Sequence, residues 1–410
     1  MWLVAPLALI AVGALAFGLY LGAEALLTSE NTTERPVDVQ DVIKTTVTVI
    51  TLMGAVLAGV YAYRKQLLSE GDSHRADASQ LAERYSTAAE QLGHEQAAVR
   101  LAGVYAMARL ADDWLHQRQV CVDVLCAYLR MPYETDPAQP RFKAGEREVR
   151  LNIVRIISDH LQNPQESTAW CHLDWDFSGA IFDGGSFISA LFTGAVSFDG
   201  ARFVDNFSFD RTQFTGGVSL RSARFTKRAS FFNAEFSGRA FFNYARFTGA
   251  ASFDSARFID TASFDLAQFT RASFFGARFT DAASFYGTRF SENASFDTVE
   301  FTGDSSFDRA EFTDRASFSG ARSTKGITFT RTNFSGEATF SQADFAGEAD
   351  FYEARFFDSV DFWGAHFTGA VVSFYGAELA GGSADFANAS VHTATHVDWG
   401  PFPPIPPNVS

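Results

Sequence analysis

The sequence predicts a mainly-β chain built around a four-sided solenoid, preceded by a small α-helical bundle and a transmembrane helical hairpin. Three observations carry the solenoid. Phenylalanine is 44 of 410 residues against only 4 Met, far outside ordinary globular usage. From Phe177 to Val391 it returns at spacings that alternate between five and six residues, as at Phe253, Phe258, Phe264 and Phe269. It mostly returns in the frame Ala-x-Phe, which places Ala and Phe on one face of a short extended segment, because successive strand side chains point to opposite faces. No helix has that period. A closed turn of eleven residues cannot enclose Phe rings from two sides, whereas two elevens, about 22 residues and four sides, can, and each such coil then stacks on its neighbours.

The elements follow in chain order. Residues 1–69 form the hairpin, with spans at 2–23 and 45–63. The first is an uncharged run long enough at about 1.5 Å per residue to cross a hydrocarbon core of about 30 Å. The absence of Lys or Arg before it argues for an anchor over a cleaved signal. A short acidic outer loop with Glu30, Glu34, Asp38 and Asp41 precedes the second span, which ends at Arg64-Lys65. The positive-inside rule then places both termini in the cytoplasm, at the cell membrane. The Asn31-Thr-Thr33 sequon matters only in a glycosylating host. Gly54, Ala55, Ala58 and Gly59 supply small residues for helix packing, within the hairpin first and in a homodimer second.

Residues 70–168 carry the period of amphipathic helices and predict a HEAT-like helical module. Leu81, Tyr85, Ala88, Ala89 and Leu92 make the first stripe; Leu101, Val104, Tyr105 and Ala108 the second; Cys121, Val124, Leu125 and Tyr128 the third; Ile153, Ile156, Ile157 and Leu161 the fourth. Gly93 and the proline-punctuated loop Met131–Pro140 separate them. Cys121, Cys126 and Cys171 form no CxxC pair, which points to a reducing compartment and to buried small hydrophobes. Residues 169–392 are the solenoid. Its forty centres from Phe177 to Val391 give about ten coils, with Leu220, Ser323, Leu379 and Val391 replacing Phe. At a strand spacing of about 4.8 Å the rod is roughly 50 Å long, and Phe253, Phe258, Phe264, Phe269, Phe285, Phe290, Phe296 and Phe301 belong to four inward ladders. Residues 393–410 are a Pro-rich tail, expected to be extended.

The motif Ala201-Arg-Phe203, Ala245-Arg-Phe247, Ala277-Arg-Phe279 and Ala354-Arg-Phe356 resembles the pentapeptide-repeat proteins, whose repeat is A(D/N)LXX, with Phe here in place of Leu. The resemblance covers about half the chain. It implies a right-handed quadrilateral β-helix. The extra residue after every second pentad departs from the family pattern and should bulge alternate corners. Ala82–Gly93 with Val99–Tyr105 resembles the helical segment of membrane-bound actinobacterial members that carry two transmembrane helices.

Function must sit on outward positions, because the interior is filled. The residue before every second Phe forms the series Arg202, Gln213, Arg224, Glu235, Arg246, Arg257, Gln268, Arg278, Arg289, Glu300, Glu311 and Arg322, which reads as a mixed, solvated face. Arg246, Arg257, Arg278 and Arg289 are its candidate interaction residues. Ser323 with Lys325 marks a polar lapse in a ladder, and Phe269, Phe274 and Phe279 a break in the spacing. No GxSxG, HExxH, P-loop or dinucleotide fingerprint is present, and His392, His396 and Asp398 are too few for a convincing metal site. No catalytic residue, cofactor or metal is therefore expected. A net charge of -15 disfavours direct nucleic-acid binding. The reading is a membrane-embedded, non-catalytic scaffold for a protein partner that the sequence does not identify. Its rivals are a DNA-mimicking, topoisomerase-binding protein, as the family resemblance implies for acidic rods, and a membrane sensor or enzyme using the helical module.

Overall fold

The computed structural model describes residues 4–30 and 38–405, with side chains for 13–29, 38–66 and 79–405. The chain divides into two compact units, residues 1–82 and 83–410.

The first unit contains helix α1 (Val4–Glu30) and most of helix α2 (Val39–Leu92). One segment, Val39–Gln66, is long and apolar enough to cross a membrane, with a mean hydropathy of 1.7; the apolar stretch of α1 among described side chains is the shorter Gly13–Ser29. Thus only the second of the two expected spans meets that criterion here. Ala23 of α1 and Val42 and Thr46 of α2 are buried. Gly54 and Gly59, expected to pack helix on helix, have nothing within 4 Å of an added Cβ. A boundary near residue 69 was expected; α2 is continuous from 39 to 92, with no Pro to interrupt it and Gly71 within it, and the compact units divide after residue 82. Glu34 and the sequon Asn31–Thr33 lie outside the described residues.

In the second unit the end of α2 is followed by α3 (Ala97–Asp113), α4 (Arg118–Arg130) and α5 (Glu146–His160). Their inward stripes largely follow the periodicity, with Val104, Cys121, Leu125, Ile153 and Ile157 fully buried, but Tyr105, read into the second stripe, is 46 % exposed, and its hydroxyl donates to Asn152 Oδ1 on α5 instead. Burial pushes the Cys121 thiol up to about 11, so it stays protonated and inert.

From Trp175 the chain winds into a parallel β-solenoid of strands that are mostly two residues long, on four faces. Residues on successive rungs of a face pair directly, as in Ala229↔Ala251 and Arg257↔Arg278. Side chains that meet across such rungs, as Arg257 with Glu235 and Arg271 with Glu292, are 22 or 21 residues apart in the chain. Face 1 runs from Trp175 to Asp398 and face 4 from Leu191 to Val391. Faces 2 and 3 join in one sheet, because Arg246–Ser252 and Gln268–Ser273 run round the shared corner as single strands. There Phe269 and Phe274, spaced by five, lie over Phe247 and Phe253, spaced by six, and the register shifts between Phe247 and Ala250. The missing residue is absorbed at that corner, and the rings stay aligned.

The aromatic interior is four columns. Rings in one column stack nearly parallel: Phe264 on Phe285 at 4.8 Å, Phe247 on Phe269 at 4.6 Å, Phe253 on Phe274 at 4.8 Å and Phe258 on Phe279 at 4.6 Å. Two opposite columns also interlock along the axis, edge to face, in the chain Phe242, Phe253, Phe264, Phe274, Phe285, Phe296, with centroids 5.4 to 5.5 Å apart. Both arrangements match the ring quadrupole. The columns dictate the corners. Two residues after each Phe of the interlocked columns the backbone takes a positive φ, at Ser255 (57°), Leu266 (58°) and Gly276 (62°), and the turn is closed by bonds such as Ala256 N–H to Phe253 O at 3.0 Å. The other two corners hold the extra residue of the six-spacing. Alternate corners therefore differ, as the 5,6 alternation predicts.

Asp at the position after Phe ties coils together. Asp254 Oδ1 accepts the Ser273 hydroxyl and the Phe275 N–H of the next coil, and Asp265 does the same for Ser284 and Tyr286. The Ser-Phe-Asp triplet thus encodes an inter-coil clasp that the spacing analysis did not read.

Both ends of the aromatic column are closed. At the start, Trp175 stacks on Phe177 at 5.6 Å, Trp170 lies 6.4 Å from Trp175, and His160 stacks on Trp170 at 3.9 Å. Helix α5 packs directly on the first coil: a Cβ on Gly185 (φ 101°) would meet Val154 at 2.9 Å. Arg130 pairs with Asp176, and Leu191 N–H bonds Leu161 O at 2.8 Å. At the far end, His396–Asp398 adds a rung beyond the expected limit of 392, and Trp399 and Phe402 fold over Phe374 at 6.2 and 5.2 Å. The first part of the expected extended tail is therefore a cap, because the last rings would otherwise face water; Pro406 and Pro407 lie outside the described residues.

Two outcomes are expected. Phe264→Ala should lower stability by about 3–5 kcal/mol, whereas Phe275→Ala, at an exposed position, should stay within about 0.5 kcal/mol, both read from urea midpoints. His160 is pulled down by burial, but its bonds to Asp112 and the Ile156 carbonyl and the Asp112 charge outweigh that and raise its pKa overall. Its contribution is complete below the ordinary value near 6.5 and is lost as pH rises through the raised one. The melting temperature should fall between pH 6 and 8, and by less in His160→Gln.

Candidate interaction surface

Each outward side chain preceding a ladder Phe stands on a two-residue strand whose Phe is locked inside, so its position is fixed by the column beneath it. The linear series splits accordingly. Arg202, Arg224, Arg246, Gln268, Arg289 and Glu311 fall in one column on face 2. Gln213, Glu235, Arg257, Arg278, Glu300 and Arg322 fall in another on face 4. What reads along the chain as mixed sign is two separate columns, and the four arginines singled out from sequence divide two and two.

Most of these charges are neutralised by the neighbouring rung. On face 4, Arg257 pairs with Glu235 at 3.0 Å, Arg278 with Glu300 at 2.7 Å and Arg322 with Asp344 at 3.4 Å. On face 2, Arg289 pairs with Glu311 at 2.6 Å, which raises its pKa, and Arg355 with Glu378 at 3.2 Å. Arg202, Arg224 and Arg246 differ. They are exposed, occupy three successive rungs in direct register, and make no ion pair among the described residues. Like charges directly opposite on neighbouring strands are destabilising. Exposed Lys227 and Arg228 lie at the following corner. Residues 201–250 carry 8 Lys and Arg against 3 Asp and Glu, a net of +5, while 251–392 carry 10 against 20, a net of -10. The solenoid therefore has a basic band near its start within an acidic chain. Arg202 and Arg224 are the members sequence reasoning did not single out; the signal was every second member of the series, which becomes visible once a whole coil is used as the repeat.

Ser323 does not join this surface. It is 2 % exposed and its hydroxyl donates to the Lys325 carbonyl at 2.8 Å, so the lapse is a satisfied polar site inside the column, although the Lys325 side chain is exposed. The spacing of seven before Phe374 is likewise absorbed, since Phe374 still stacks on Phe351 at 4.9 Å. His392 Nδ1 accepts the Ala394 N–H at 3.2 Å, and no group of three or more His, Cys, Asp or Glu among the described residues is placed to hold a metal ion.

Arg224→Gln removes like-charge crowding and should raise stability by about 0.2–1 kcal/mol at low salt. Arg278→Gln should cost less than about 1 kcal/mol, as an exposed ion pair does. Urea midpoints in 0.5 M salt should bring both close to the parent, because screening removes each effect.

Residues 177–224, 231–278, 274–329 and 329–378 match the family model described as pentapeptide repeats (9 copies). No curated protein matches the chain. With four ladders, parallel coils stacked in register and that match, the solenoid of this chain is built of pentapeptide repeats.

Proposed function

We propose that the protein is a membrane-anchored, non-catalytic scaffold whose solenoid offers the arginine column of face 2 to an acidic protein partner. The observation that carries this reading is the contrast within one column of face 2: Arg289 and Arg355 are paired with an acid on the neighbouring rung, while Arg202, Arg224 and Arg246 keep their charges free at a cost in stability. A rigid parallel sheet holds them at strand spacing, so little side-chain positioning remains to be done when a partner binds. Anchoring is supported by the apolar segment Val39–Gln66, whose large side chains Leu52, Val56, Leu57 and Tyr61 are exposed, and by Arg64-Lys65 at its end. In this reading α1 and α2 form a hairpin with both chain termini in the cytoplasm. The topoisomerase-binding alternative has less support, because mimicry of a duplex needs contiguous acidic surface and the acidic part of the rod is interleaved with paired arginines.

Proximity labelling with the full chain and with Arg202→Glu/Arg224→Glu/Arg246→Glu tests the surface. Acidic proteins labelled by the parent should be lost from the variant while membrane neighbours remain; identical sets would overturn the reading. A reporter fused after Ser410 should be active only if that end is cytoplasmic, which tests topology separately.

A further inference from the structure

The helical module encloses a cavity of about 270 Å³ between the end of α2, α3, α4 and the start of α5. Its wall carries a buried charge cluster. Glu146, the first residue of α5, lies between two guanidiniums: Arg150 Nε donates to Oε1 at 3.0 Å, and Arg100 Nε lies 3.1 Å from Oε2. Tyr128 donates to Oε2 at 2.9 Å. The single carboxylate is thereby saturated. Arg150 is saturated as well, since it also donates to the carbonyls of Tyr128, Leu129 and Met131. Arg100 is not. It is 2 % exposed, its Nη1 donates to the His94 and Glu95 carbonyls, and neither Nε–H nor Nη2 makes a hydrogen bond.

Two guanidiniums against one carboxylate leave a buried net charge of +1, with donor groups unsatisfied on the same side chain. Both conditions are costly in a desolvated site unless an anion completes them. The rest of the lining points the same way. Arg141 and Lys143 are exposed residues of the lining, Glu134 is its other acid, and the lining as a whole holds four cationic side chains against two carboxylates in a chain of net charge -15. Gly145 stands at the N-cap of α5 and contributes no capping side chain, so the positive end of that 15-residue helix lies at the cluster. Leu92, Met131, Pro132 and the ring of Tyr133 supply an apolar part of the wall, and the Tyr133 ring is held by Arg150 4.6 Å from its centroid.

We infer that this cavity is a binding site for a small organic oxyanion, a phosphate or carboxylate carried on a compact apolar body, with Arg100, Arg141 and Lys143 providing its charge recognition. The charge selects the oxyanion, and the volume limits the body to about one ring. Because this site lies wholly in the helical module, it stands or falls independently of the solenoid surface and of membrane anchoring.

Calorimetric titration of the full chain in detergent micelles with phenyl phosphate, benzoate and benzyl alcohol tests it. One equivalent of either oxyanion should bind at least tenfold more tightly than benzyl alcohol, and which binds tighter identifies the headgroup. Arg141→Gln/Lys143→Gln, at exposed positions that leave the fold intact, should weaken that binding about tenfold, and Ala89→Phe, which fills the cavity, should abolish it with circular dichroism unchanged. Should Ala89→Phe fail to fold, the exposed double variant decides. Equal affinity for benzyl alcohol, or an unchanged isotherm in Arg141→Gln/Lys143→Gln, would overturn the inference.

Discussion

Edge-to-face and stacked contact between phenylalanine rings is the interaction on which the rest of the second unit depends. A ring in a column has a parallel neighbour above and below at about the spacing of β-strands, and rings of the two interlocked columns also meet edge-on across the axis. That packing fixes the height of every coil, and so the register of the short strands. Two-residue strands have almost no pairing energy of their own. They persist because each is pinned by a buried Phe beneath and by Asp clasps such as Asp254 to Ser273 at its corner. The same packing tolerates backbone that isolated residues avoid: Leu266 and Tyr244 sit at positive φ because the ring two residues earlier is committed to the interior.

An end of such a column is its weak point, since the last ring would lack a partner and the last strand would offer open hydrogen-bonding groups. Both ends are solved with aromatic residues outside the repeat. Trp170, Trp175 and His160 continue the column into the helical module at one end, and Trp399 and Phe402 close the other. The helical module is thus a structural cap as well as a compartment with its own charged cavity, and the buried cluster around Glu146 borders the first coil, since Arg150 Nη1 also donates to the Ile181 carbonyl at 3.5 Å.

Outward chemistry is freed by this arrangement. With the interior fixed by Phe and Ala, the side chain before each ladder Phe can vary without disturbing the fold, and the rung below sets which charge it meets. Arg257, Arg278 and Arg289 meet acids and are neutral in effect. Arg202, Arg224 and Arg246 meet each other, and the repulsion they keep is the kind of local cost a protein retains where something else supplies the compensating charge.

The sequence by itself determined the solenoid, its four ladders, the length of its coil and most of the buried stripes of the helices, because each follows from a local period; Tyr105, in period yet exposed, is the exception. It also marked the corners, through the alternation of five and six. The caps were not legible: Trp399 and Phe402 look like a proline-rich end until the last coil is seen to need a lid. Nor was the continuity of α2, since a change of hydrophobic period resembles a boundary, although the helix runs on through Gly71. The charge columns and the cavity were decided by the tertiary structure alone. Arg202 and Arg246 are 44 residues apart along the chain, and Arg100 on α3 is separated from Glu146 on α5 by the whole of α4. Only the coiling of the chain, and the packing of α3 and α4 against α5, bring such residues side by side, where charges that look mixed or scattered in one dimension become a ladder and a pocket.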